Sequence, residues 1–71
     1  MPKANIANDI RRLRFEAGEM TQREVAERVG CTRQTIVLLE QGRYVPSLAL
    51  AFRIARTFGR TIEEVFRFEE R

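Results

Sequence analysis

Arg33 and Gln34 stand side by side in the chain, and they carry the two planar, forked groups that match base edges best. A guanidinium pairs with the O6 and N7 acceptors of guanine, and a carboxamide pairs with N6 and N7 of adenine. Val37 and Leu38 follow one helical turn later on nearly the same face. Apolar side chains there suit the thymine methyl group, the apolar feature of the major groove. Thr32, Thr35, Gln41, Arg43 and Tyr44 surround this set. Their hydroxyl, amide and cationic groups are expected to hold phosphate oxygens, contacts that fix register without reading sequence. Gln22 adds a donor at the start of a preceding helix, where spare backbone N–H groups also favour an anion. Each residue has a plainer reading. Arg33 and Gln34 are also good helix formers on a wet surface. Gln22 is also an ordinary first-turn residue, Arg43 also serves solubility, and Leu38 also suits contact with another protein.

Such chemistry needs a rod that enters the groove, and the residues around Arg33 describe one. Thr21 with Glu24 makes a capping box, and Met20 with Val25 makes the hydrophobic staple that fixes the entry of a helix over about residues 22–29. Gly30 ends that helix, where a turn with positive φ needs glycine. Thr32 then caps a recognition helix over about residues 33–41, with Cys31 and Ile36 as a second staple pair. Ile36 and Leu39 face inward, so Arg33, Gln34, Val37, Leu38 and Gln41 form the outward face. Two short helices joined by a tight turn make a helix-turn-helix, the second helix lying in the major groove.

The remaining elements support this pair. Ile6, Ile10, Leu13 and Ala17 follow helical spacing, which predicts a first helix from Ile6 to Ala17, capped by Asn5 and ended by Gly18. Tyr44-Val45-Pro46 is a connector. Ser47 caps a fourth helix that runs to about Phe58, with Leu50, Ala51, Ile54, Ala55 and Phe58 inside. Thr61 and Glu64 open a short fifth helix through Ile62, Val65 and Phe66. Residues 1–4 read as a short arm, 5–66 as the helix-turn-helix domain and 67–71 as an acidic tail that frays or extends as a strand. No strand is needed to bury the apolar residues, so the expected class is all-α, a compact five-helix domain. Arg14 and Glu40 lie beside the core positions Leu13 and Leu39, and are expected to meet as a structural salt bridge between the first and third helices.

Composition narrows the partners. Seventy-one residues make one small domain, near the lower limit for a core without staples. A single cysteine and no histidine rule out an internal disulfide and leave no zinc site. As a staple partner, Cys31 behaves as a small hydrophobe rather than a redox switch. Net charge is +3, from 11 Lys/Arg against 6 Asp/Glu in residues 1–60 and 2 against 4 in residues 61–71. A basic body with an acidic end suits a polyanion on one side and another contact at the other. Neither a membrane span nor a signal peptide is visible, and the lone thiol fits the cytoplasm. No histidine, phosphate-cradling glycine loop or placed acid pair supports an enzyme, and no cofactor, metal or small-molecule ligand is expected.

Arg14, Met20-Thr21-Gln22, Ala26, Val29-Gly30, Arg33-Gln34-Thr35-Ile36, Glu40, Gly42, Pro46-Ser47, Ile54-Ala55 and Glu63-Glu64-Val65-Phe66 resemble the Cro/phage-repressor helix-turn-helix family. The resemblance covers about residues 5 to 66 and is close to the small prokaryotic regulators built from this domain alone. It departs in the segment between Arg14 and Thr21, one residue longer than in phage repressors, and at Leu38, where a polar residue is frequent. The resemblance implies a five-helix DNA-binding fold working as a dimer on a two-fold operator. It also implies that Gln22 meets a phosphate, that Arg33, Gln34 and Leu38 face bases, and that Arg43 lies near the backbone. The expected function is sequence-specific binding of double-stranded DNA by a transcriptional repressor. Val65, Phe66 and Phe68 are the expected contacts of a homodimer. The rival is an antitoxin or protein-interaction adaptor on the same scaffold, favoured by the aromatic, acidic tail.

Overall fold

The computed structural model describes residues 4–70. Its elements run β1 (Ala4–Asn8), α1 (Ile10–Glu16), α2 (Gln22–Val29), α3 (Arg33–Glu40), α4 (Leu48–Thr57), α5 (Ile62–Val65) and β2 (Phe66–Glu70). Residues 1–3 of the expected arm and Arg71 of the tail lie outside the described residues.

Four helices begin where a short hydroxyl side chain satisfies a spare N–H group. Thr21, Thr32, Ser47 and Thr61 accept from the backbone N–H of Glu24, Thr35, Leu50 and Glu64. At Thr21 and Thr61 the glutamate returns the bond, its Oε1 accepting from the cap's own N–H at 2.9 Å. Gly30 ends α2 at φ +79°, a left-handed conformation that costs a residue with a Cβ about 1–2 kcal/mol. Its N–H donates to the Ala26 carbonyl at 2.9 Å. The apolar faces then close on one core, with Ile10, Val25, Ile36, Leu39, Ile54 and Val65 fully buried. Each such side chain contributes roughly 1.5–3 kcal/mol by leaving water.

The five expected helices are present and dominate the fold, and β1 and β2 add a small two-stranded antiparallel sheet beside them. Ile6 stands opposite Phe68, and Asn8 opposite Phe66. The first helix therefore starts at Ile10 with Asp9 as its cap, not at Ile6 with Asn5. Asn8 supplies the physical reason. Its Nδ2 donates to the Leu39 carbonyl at 2.8 Å, and its Oδ1 accepts from Ile10 N–H at 3.1 Å. One side chain thus adds a donor to a carbonyl at the end of α3, which also accepts from Gly42 N–H at 3.0 Å, and satisfies a spare N–H at the start of α1. Beyond it, Asp9 N–H donates to the Val65 carbonyl at 2.9 Å, which ties the start of α1 to the end of α5.

The three expected dimer contacts differ in exposure. Val65 is fully buried and Phe66 nearly so, so both belong to the core of one chain. Phe68 is different: it lies on β2 and is 66% exposed.

Candidate nucleic-acid interface

The turn Gly30–Thr32 sets α3 across α2, and burial fixes which face of α3 points away. Ile36 and Leu39 are buried, while Arg33, Gln34, Gln41 and Arg43 are exposed. Val37 and Leu38 are half-buried, since each flanks a core position and shares its cover. Thr32 is exposed and Thr35 half-buried. Their hydroxyls lie 3.0 Å apart, so one of the two donates to the other and a single hydroxyl proton stays free for a partner. Tyr44 is exposed just past α3.

An open concavity runs between the start of α2 and the outward side of α3. Gln22, Arg33, Val37 and Gln41 line it, together with Arg14, Glu40, Thr21, Arg11 and Arg23. Gln34, Leu38, Thr32, Thr35, Arg43 and Tyr44 are not among its walls. Four arginines against one glutamate make the hollow cationic, and a low-dielectric wall concentrates such a field toward a polyanion. Arg11 and Arg23 are the additions that reading along the chain did not single out. The signal for them was positional: Arg11 sits three residues before Arg14, and Arg23 follows Gln22 in the first turn of α2.

Glu40 and Arg14 meet at the floor of this hollow. Arg14 Nε donates to Glu40 Oε2 at 2.7 Å and its Nη2 donates to Oε1 at 3.0 Å, a bidentate pair of the strong, directional kind. The side chains are 17% and 9% exposed, respectively. Arg14 Nη1 also donates to the Met20 carbonyl at 3.0 Å. That bond fixes the chain just before the α2 cap. Gln22 Nε2 donates to the same Glu40 Oε1 at 3.0 Å, a third contact on one carboxylate.

Cys31 packs against the core beneath the turn. Burial pushes its thiol above the usual cysteine range, which lowers its thiolate fraction and suits a small hydrophobe. No helix among the described residues is long and apolar enough to cross a membrane.

A family model for the helix-turn-helix matches residues 10–65. The chain is 61% identical over 62 residues to an uncharacterized HTH-type transcriptional regulator of Methanothermobacter thermautotrophicus, a match covering 86% of this chain and 88% of the relative. An uncharacterized HTH-type transcriptional regulator of Archaeoglobus fulgidus is 52% identical, the match covering 86% of each chain. YgzD of Bacillus subtilis, an uncharacterized HTH-type transcriptional regulator, is 44% identical over 89% of this chain and 94% of its own length. With its capped α2, glycine turn and outward-facing α3, the chain belongs to the Cro/phage-repressor type of helix-turn-helix family, a family of DNA-binding regulators rather than enzymes.

Proposed function

We propose that this protein is a sequence-specific transcriptional repressor that reads the major groove of double-stranded DNA with α3, as a homodimer on a two-fold operator in the cytoplasm. The observation that carries the reading is the division of α3. Ile36 and Leu39 are buried while Arg33 and Gln34, in its first turn, are exposed, where a helix docked in the groove meets base edges. In this reading Arg33 and Gln34 pair with purine edges, and the half-exposed flanks of Val37 and Leu38 touch thymine methyls. Gln22, Thr32, Thr35, Gln41, Arg43 and Tyr44 then hold phosphates on either side, with Arg11 and Arg23 adding charge from α1 and α2. The relatives named as HTH-type transcriptional regulators support the regulatory role.

Exposed apolar residues support the homodimer. Val45, Leu48 and Phe52 lie at three- and four-residue spacing from the connector into α4, and Leu48 and Phe52 are 69% and 49% exposed.

Selection of bound duplexes from a random pool tests the assignment. A shared motif is expected, and affinity for it falls steeply with salt as counterions are released. Arg33→Ala should relax preference at one base pair and cost about 1–3 kcal/mol there, whereas Arg43→Ala should weaken all sequences alike. A pool that returns no motif, with a bound protein co-purifying instead, would favour the adaptor reading.

A further inference from the structure

Resting on that reading, we infer that Glu40 is a positioning residue for the phosphate contact of Gln22. The carboxamide of Gln22 has a donor end and an acceptor end, and its neighbour decides which is which. Glu40 Oε1 lies 3.0 Å from the terminal nitrogen. A carboxylate accepts only, so the opposite orientation would set two acceptors against each other. One N–H of Gln22 is thereby committed to Glu40. The second N–H is left for a phosphate that enters the cationic hollow, which Gln22 lines. Arg14 completes the device. Its bidentate grip on Glu40, at 2.7 and 3.0 Å, sets the plane of the carboxylate and offsets a negative charge that would otherwise repel the DNA backbone. Arg14 also holds the Met20 carbonyl, so the same guanidinium locates both Glu40 and the start of α2.

Simple charge counting and an aiming role for Glu40 predict opposite signs. Removing an acidic residue from a DNA-facing hollow should tighten binding through the field alone. If Glu40 instead aims Gln22, its removal should weaken binding.

The test uses the full chain and a fluorescent duplex recovered by selection, with a scrambled duplex of equal length as control. Gln22→Met keeps the stem and removes the donors, and is expected to weaken binding roughly tenfold, the size of one charge-assisted hydrogen bond. Glu40→Gln is expected to weaken it by a similar factor, and Gln22→Met/Glu40→Gln no further than the worse single change. Because Glu40→Gln strips Arg14 of its partner and risks unfolding, Glu40→Asp serves beside it. It keeps the charge but withdraws the carboxylate by one methylene, and circular dichroism confirms the fold. Unchanged or tighter binding by a folded Glu40→Asp or Glu40→Gln would overturn the inference. So would strictly additive losses with Gln22→Met. A wild-type protein that binds no duplex above the scrambled control would instead remove the DNA-reading assignment, and the two failures are thereby distinct.

Discussion

Arg12 and Arg14 sit two positions apart on α1 and make ion pairs of very different worth. Arg12 bridges Asp9 and Glu16 at 3.0 and 3.1 Å with its side chain 55% exposed, a setting in which solvent screening leaves such pairs little net worth. Arg14 meets a carboxylate that is almost out of water. Arg12→Ala should therefore leave urea unfolding almost unchanged, whereas Arg14→Ala should lower stability by about 3 kcal/mol, because it strands Glu40. Replacing both partners, as Arg14→Met/Glu40→Leu, should recover most of that loss, and a double variant as unstable as Arg14→Ala would refute the desolvation argument. The pairing of Arg14 with Glu40 was legible because each residue adjoins a core position in its helix. The third contact, from Gln22, was not. A flexible side chain at a helix start takes its direction from a neighbour that is 18 residues away in sequence. Arg11 and Arg23 escaped for a related reason, since an arginine on a wet face looks like any other until the fold gathers several around one hollow.

Helix boundaries were written more plainly than strand boundaries, and the difference is chemical. A cap leaves a local mark, a hydroxyl three residues before the N–H that it accepts, and all four such marks correspond to observed helix starts. The sheet leaves no local mark. Ile6 lies four residues before Ile10, which suits a helix, and its actual partner Phe68 is at the far end of the chain. The caps also set the response to acid. The carboxyls of Glu24 and Glu64 are held below the usual glutamate range, chiefly because they accept the backbone N–H groups of Thr21 and Thr61. Asp9 is lowered too, by hydrogen bonds from Arg12 and then Arg67. A carboxyl lowered in the folded state adds stability that is complete above its unfolded value and disappears as pH falls through the folded one. The thermal midpoint should therefore stay level from about pH 8 to about pH 6. It should then fall once the pH drops below the ordinary values of 4.5 for Glu and 3.8 for Asp. Glu24→Gln/Glu64→Gln should reduce that fall, and an acid profile unchanged by the double variant would remove the caps as its cause. At the same two sites Thr21→Ala and Thr61→Ala should each cost about 1 kcal/mol at neutral pH.

At the scale of the whole molecule, the proposed homodimer requires a surface that joins two copies so that both α3 helices meet one face of the DNA. The tail offers Phe68 alone, and one exposed apolar residue is ordinary on a soluble protein. The connector and α4 offer more. Leu48 and Phe52 share an exposed face, with Val45 before them, while Leu50, Ala51, Ile54 and Ala55 are buried in the core on the adjoining side of α4. Exposed apolar residues grouped in this way suit a contact site, and across a two-fold axis the same group would meet itself. Sedimentation equilibrium should therefore show a dimer that Phe52→Glu weakens more than tenfold, a change of about 1.4 kcal/mol, and that Phe68→Glu leaves intact. The consequence reaches the DNA. Two recognition helices held about 34 Å apart enter successive major grooves, and the phosphates neutralised by both copies add in the salt dependence. The Phe52→Glu protein should footprint a half-site rather than the full operator, and the slope of log affinity against log salt should fall to about half. If Phe52→Glu stays dimeric while Phe68→Glu becomes a monomer, the pairing passes through the sheet instead, and α4 needs another explanation for its uncovered leucine and phenylalanine.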